Sequence, residues 1–170
     1  MNPTACPQCG AHTLHRLLNP PGHFMMVGLD NPKTSANVGS ALRAAHCFGA
    51  AAIIVRGHRY TRAGTDATKA WRHFPLICVE SLAHALPYDC VPVAVDILDN
   101  AQSLPTYDHP RRAFYIFGAE DATLGQPILE WCRDIVSIPT AYCLNLAAAV
   151  NVVLYDRIAK QTQAMQEQMP

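Results

Sequence analysis

Neither charge predominates in this chain of 170 residues: 13 Lys and Arg stand against 13 Asp and Glu, and the formal net charge is zero. The missing excess excludes a basic arm, an acidic tail and a disordered polyelectrolyte. It also removes the usual first sign of nucleic-acid binding, a basic surplus. No apolar run reaches the roughly 18 residues a membrane span needs, so no membrane partner is expected. Met1–Gly22 is polar and Pro-rich rather than basic and then apolar, so no signal peptide is expected. A disulfide framework is also missing. The seven cysteines are odd in number and scattered, and several sit in apolar segments such as HCFGA and LICVE. Free thiols in a reducing cytoplasm are the expectation. Charged residues make up only 15% and hydrophobic ones 50%. That suits one domain with a sizeable core and a surface prone to self-association.

What is present reads as short apolar runs alternating with helical segments. FMMVGL (24–29), AAIIV (51–55), FPLICV (74–79), VPVAVDIL (91–98), AFYIFG (113–118) and DIVSIP (134–139) are expected strands. Helices are expected from Ser35 to about Phe48 with Gly49 as the stop, over 81–87 opened by Ser81, over 126–132, and over 143–160. Residues 1–22 form a separate Cys- and His-containing tail or mini-motif, 23–160 the domain, and 161–170 a polar, frayed tail. This alternation predicts an α/β domain with a mostly parallel sheet and helices on both faces.

In such sheets ligands gather at the carboxyl ends of the strands. Three polar or Gly-containing stretches lie there: NPKTSANVGSALRAAHCFGA (31–50), IFGAEDATLG (116–125) and IPTAYCLNLAAAVNVVLYD (138–156). Each has an ordinary explanation by itself. These are a helix start with a surface Arg, a turn with an exposed Glu, and a core helix with Asn at its beginning.

Taken in order, N-x-G-x3-R-x4-FG, then FG-x-E-x3-LG, then IP…LN-x3-A…YD, the three resemble the motifs of the SpoU-type RNA ribose methyltransferases of the SPOUT superfamily. The resemblance covers about residues 24–160. It implies a deep C-terminal trefoil knot, an exception to the rule against knotted chains. It also implies a homodimer and S-adenosylmethionine as methyl donor. It places Asn37, Arg43, Glu120 and Asn145 at the reaction centre, and Val95, Gly118, Ile138, Cys143 and Leu144 at the cofactor. Cys143 stands where relatives commonly carry Ser, and a thiol is the weaker hydrogen-bond donor. His46 reads as a core-helix residue rather than a catalytic one.

Methyl transfer from a sulfonium to a ribose 2′-hydroxyl needs orientation and help with a proton. Arg43 is too weak an acid to serve easily as a base, so a clamp on phosphate and on developing oxyanion charge suits it better. Asn37 and Asn145 both donate and accept, and Glu120 can hold Arg43 or Asn37.

RNA must also be gripped. Residues 56–73 carry Arg56, Arg59, Arg62, Lys69 and Arg72 against one acid, Asp66, so the rest of the chain has eight basic and twelve acidic residues. Tyr60 and Trp71 are interleaved as stacking platforms. The alternative is a solvated basic loop. Cys6-Pro-Gln-Cys9 has zinc-ligand spacing and also that of a redox dithiol, beside the reading of a tail with accidental thiols.

The expected function is RNA 2′-O-methylation, on tRNA rather than rRNA because compact relatives of this kind often act on tRNA. Methylation of rRNA or of a base, a catalytically silent RNA-binding homologue, and a small metal or redox module are the competing readings.

Overall fold

A computed structural model of the chain describes residues 20–57, 59 and 74–167. Seven strands form one sheet: β1 (Phe24–Asp30), β2 (Ile53–Arg56), β3 (Leu76–Val79), β4 (Val91–Val95), β5 (Gln102–Ser103), β6 (Arg112–Phe117) and β7 (Asp134–Ser137). Their order is β3-β2-β1-β6-β4-β7-β5, and every pairing is parallel. All carboxyl ends therefore share one edge.

The helices are α1 (Ser35–Cys47), the single turn α2 (Gln126–Leu129) and the long α3 (Leu146–Glu167). The inner strands are buried on both faces, as expected where helices or loops cover each side of a parallel sheet. On one face Val27, Leu29, Val55, Tyr115 and Phe117 pack against Leu42 and Ala45 of α1 and Val150 and Leu154 of α3. On the other, Met26, Ile54, Phe114 and Ile116 meet Leu82, Leu124 and Ile128. Full burial of side chains of this size contributes about 1.5–3 kcal/mol each, which is why these runs select strands.

Thr34 opens α1 with its hydroxyl accepting from the Asn37 amide at 3.4 Å, and Gly49 closes it at φ +76°, where a β-carbon would be strained. Gly49 N–H donates to His46 C=O and Ala50 N–H to Ala45 C=O, satisfying the last carbonyls.

Several sequence expectations change. The strand expected over 51–55 starts at Ile53, and the one over 91–98 ends at Val95. Residues 81–87 form only a 3-10 turn at Ala83–Ala85, with no side-chain cap from Ser81. The short edge strand β5 carries no apolar run to announce it. The last helix starts at Leu146, because Asn145 caps it: its Oδ1 accepts from Ala147 N–H at 2.9 Å and Ala148 N–H at 3.4 Å. It runs on to Glu167 rather than fraying after Lys160. Gln, Ala, Met and Glu are good helix formers, and no Gly or Pro interrupts them.

Its far half is also anchored. Lys160 Nζ donates to Leu104 C=O at 2.6 Å and Tyr107 C=O at 3.0 Å, and Gln161 bonds His23 at 3.1 Å. Beside them Arg157, 3% exposed, donates to Pro110 C=O, Arg111 C=O and Tyr115 Oη. His46 is exposed on α1 and leans on Phe74 at 5.4 Å between ring centroids, so it is no core residue.

Candidate active site

The strand order reverses direction between β1 and β6. The loop after β1 leads into α1 and on to β2 on one side, while β4 and β7 lie on the other. Such a reversal opens a crevice above the carboxyl ends. The three sequence stretches converge there.

Asn37, in the first turn of α1, donates Nδ2–H to Glu120 Oε1. Asn145 donates Nδ2–H to Asn37 Oδ1 at 2.8 Å. One residue from each stretch thus forms a hydrogen-bonded chain, Asn145 to Asn37 to Glu120. Each end is fixed in turn. Asn145 spends its oxygen on the start of α3. Glu120 accepts from Lys33 N–H at 2.7 Å, Thr34 N–H at 3.3 Å and Thr34 Oγ1 at 3.2 Å. Partial burial would raise the carboxyl pKa of Glu120. The donors from Asn37, Lys33 and Thr34 outweigh it and hold the group below its ordinary value. Glu120 is therefore ionised at neutral pH and saturated with donors, which suits holding Asn37 rather than taking a proton. It does not touch Arg43. Arg43 stands exposed on α1 and forms no hydrogen bond or ion pair among the described residues.

A cavity of about 370 Å³ lies beside this chain. Val95, Gly118, Ile138, Cys143 and Leu144 all line it, with Glu120 at its edge. Apolar residues (Phe117, Leu146, Ala149) line it together with the loop residues 118–123, and its volume is in the range of ordinary ligand pockets. Gly118 lets the 118–125 loop fold tightly, since a β-carbon there would sit 3.2 Å from Ala122 C=O and 3.4 Å from Leu124 N. Asp96 pins the same loop by accepting from Leu124 N–H at 2.5 Å. Apolar walls beside the polar Asp96, Glu120 and Thr140 fit a purine ring and a methionine-like chain, so the residues present suit S-adenosylmethionine. Cys143 is exposed.

Of the basic stretch, Arg56 and Arg59 are described, and Arg62, Lys69 and Arg72 lie outside the described residues, as do Tyr60 and Trp71. Arg56 ends β2 and binds Asp30 through Nε and through Nη2, the latter at 3.1 Å. Arg59 grips Asp121 with two bonds of 3.0 and 2.8 Å, and Lys33 joins at 3.4 Å. The Arg59 guanidinium holds the Asp121 carboxyl well below the usual range. The expected metal ligands Cys6 and Cys9 also lie outside the described residues. Among those described, no three His, Cys, Asp or Glu are placed to hold an ion. No described helix is long and apolar enough to cross a membrane.

Sequence reasoning misses Thr34, Asp96 and Asp121. Thr34 is legible as a helix-capping residue three positions before Asn37. Asp96 and Asp121 carry no local signal, because their roles come from loops distant in the chain.

The model of the SpoU rRNA Methylase family matches residues 25–155. An uncharacterised tRNA/rRNA methyltransferase of Archaeoglobus fulgidus is 28% identical over 145 residues, 79% of this chain and 63% of that protein. The 23S rRNA (guanosine-2′-O-)-methyltransferase RlmB of Salmonella typhi is 27% identical over 149 residues, 82% of this chain and 61% of that protein. Among solved structures, the SpoU methyltransferase AviRb of Streptomyces viridochromogenes, in complex with AdoMet, superposes with a TM-score of 0.71 at 26% identity. The match covers 82% of this chain and 58% of that one. The chain spans about three fifths of the length of these relatives.

Proposed function

Since the chain belongs to the SpoU rRNA Methylase family, we propose that it transfers a methyl group from S-adenosylmethionine to a ribose 2′-hydroxyl of RNA. The observation that carries the reading is the chain Asn145–Asn37–Glu120 at the rim of the cavity that Val95, Gly118, Ile138, Cys143 and Leu144 line. The relatives named for tRNA/rRNA and guanosine-2′-O methylation, and the AdoMet-bound AviRb, support it.

In this reading S-adenosylmethionine supplies a methyl already activated on a sulfonium. Val95, Ile138 and Leu144 would exclude water from it, and Gly118 and Cys143 would border it in the same cavity. Glu120 keeps Asn37 in one rotamer, and Asn145 fixes the other face of the same amide, so the site's polar groups are ordered before RNA arrives. Arg43, exposed on α1, clamps the phosphate next to the target ribose and stabilises the developing oxyanion. Arg59, with Arg62, Lys69 and Arg72 further along the basic stretch, supplies backbone contacts.

tRNA is the proposed substrate class, a homodimer the proposed assembly, the cytoplasm the proposed location, and a C-terminal trefoil knot the proposed threading. Labelled methyl transfer to RNA from cells lacking the gene tests the proposal. Wild-type protein labels RNA, and the Arg43→Ala variant does so about 10²–10³-fold more slowly. Cofactor binding without transfer by the wild type would identify a silent RNA-binding homologue instead.

A further inference from the structure

A second cavity, of about 250 Å³, opens on the same edge of the sheet. Asp30, Arg56 and Glu80 come to it from the carboxyl ends of β1, β2 and β3, three neighbouring strands. Leu82 and Ile128, both buried, line it with the half-buried Trp131. The two cavities share a wall: the loop that lines the first through Thr123 continues into Gly125 and Pro127 of the second.

The polar groups are unequal. Asp30 is 9% exposed, and both its oxygens are engaged by Arg56 Nε and Nη2. This pairing fixes the guanidinium plane and leaves Nη1 without a partner among the described residues. Glu80 and Ser81 likewise form no hydrogen bond or ion pair among the described residues, and Glu80 is exposed. The cavity therefore offers an apolar slot, one aromatic ring, one oriented cation and one uncommitted carboxylate.

A planar ligand with two adjacent donors on one edge and acceptors on the next complements that set. Guanine is such a ligand. Its N1–H and N2–H face a carboxylate, while O6 and N7 accept from a guanidinium. Adenine instead presents its unprotonated N1, an acceptor, to the carboxylate. The two acids in the lining give phosphates no welcome, so a free nucleotide is the poorer occupant and a base displayed by a polymer the better one.

We infer that this second cavity is a guanine subsite, with Glu80 and Arg56 reading the base edge of an RNA strand whose reacting ribose lies at Asn37 and Arg43. The inference rests on the RNA reading of the first site.

The test is equilibrium binding of short single-stranded RNAs to the full chain with S-adenosylhomocysteine present. The strands differ only in guanine, inosine or adenine at one position scanned along them. At one position guanine binds about ten- to a hundredfold more tightly than adenine, the scale of one bidentate base contact. Inosine, lacking the N2 amino group, falls between. Glu80→Gln removes the preference and leaves S-adenosylhomocysteine affinity unchanged. Equal binding of all strands to the wild type, or a preference that survives Glu80→Gln, overturns the subsite. GMP competing as well as the guanine strand overturns the polymer assignment. A guanine preference without any methyl transfer keeps the subsite and defeats the methyltransferase reading. Transfer without a guanine preference does the reverse.

Discussion

Asn37→Asp exchanges one NH2 for an oxygen and changes almost no volume, so it isolates the central hydrogen bond of the site. In the native protein Asn37 Nδ2 donates to Glu120 Oε1. In the variant an acceptor faces an ionised carboxylate that Lys33 N–H and Thr34 already hold in that state. Loss of a hydrogen bond to a charged group costs about 1.5–3 kcal/mol. Repulsion of two unit charges about 4 Å apart adds about 4 kcal/mol at an effective dielectric of roughly 20. Both residues are half-buried, and solvent screening cuts that repulsion severalfold. A net loss of about 3 kcal/mol at pH ~8 follows.

Protonating the introduced carboxyl restores a donor, so the folded pair titrates above the ordinary carboxyl range near ~4. The sign is fixed by linkage. Below the unfolded value the folded variant keeps its stability, and it loses stability as pH rises through the raised folded value. Urea unfolding of wild type and variant at pH ~8 and pH ~5 measures this. The gap is about 3 kcal/mol at the higher pH and about 1.5 kcal/mol, roughly half of that, at the lower. An equal gap at both pH values, or none, would refute the reasoning that Asn37 is held by an ionised Glu120.

Arg43→Ala lowers turnover by about 10²–10³, the scale of one lost charge-stabilising donor, while urea midpoint and cofactor affinity stay within error. Charge reversal at Arg59 and Arg62 weakens RNA binding and flattens its dependence on salt, read from affinities at several salt concentrations. His109 is 5% exposed in its side chain, and burial pushes its pKa down to about 4. Tyr115 Oη–H donates to Nδ1 at 2.6 Å, and the neutral ring donates from Nε2 to Asp156 at 2.9 Å. The lowered value means that the unfolded chain binds this proton first. Stability is therefore full above pH ~6.5 and falls towards pH ~4, by about 3 kcal/mol in all. His109→Gln removes that part of the pH dependence of unfolding.

The sheet is legible in the sequence because its strands are buried on both faces. AFYIFG suits neither water nor a half-exposed helix, and it forms the central strand β6, with Phe114 to Ile116 all fully buried. The site is legible in kind. Asn37, Glu120 and Asn145 can be picked out by order and spacing, but the bonds between them span 83 and 108 residues, a closure that no local pattern encodes. The end of α3 misleads because its polarity resembles that of a frayed tail, whereas Lys160 and Gln161 are polar because they fasten the helix to backbone and to His23. Arg56 and Arg59 stand out as cations, but their partners Asp30 and Asp121 lie 26 and 62 residues away. The zero net charge is thus partly made of such internal pairs.

The most direct test of the central claim is the chemical position of the transferred group. RNA labelled by the purified chain with S-adenosylmethionine is digested to nucleosides and separated by mass and fragmentation. The label is expected on the ribose, as a 2′-O-methylnucleoside that Arg43→Ala protein forms about 10²–10³-fold more slowly. Label on a base, or ribose label that persists undiminished in that variant, would contradict it.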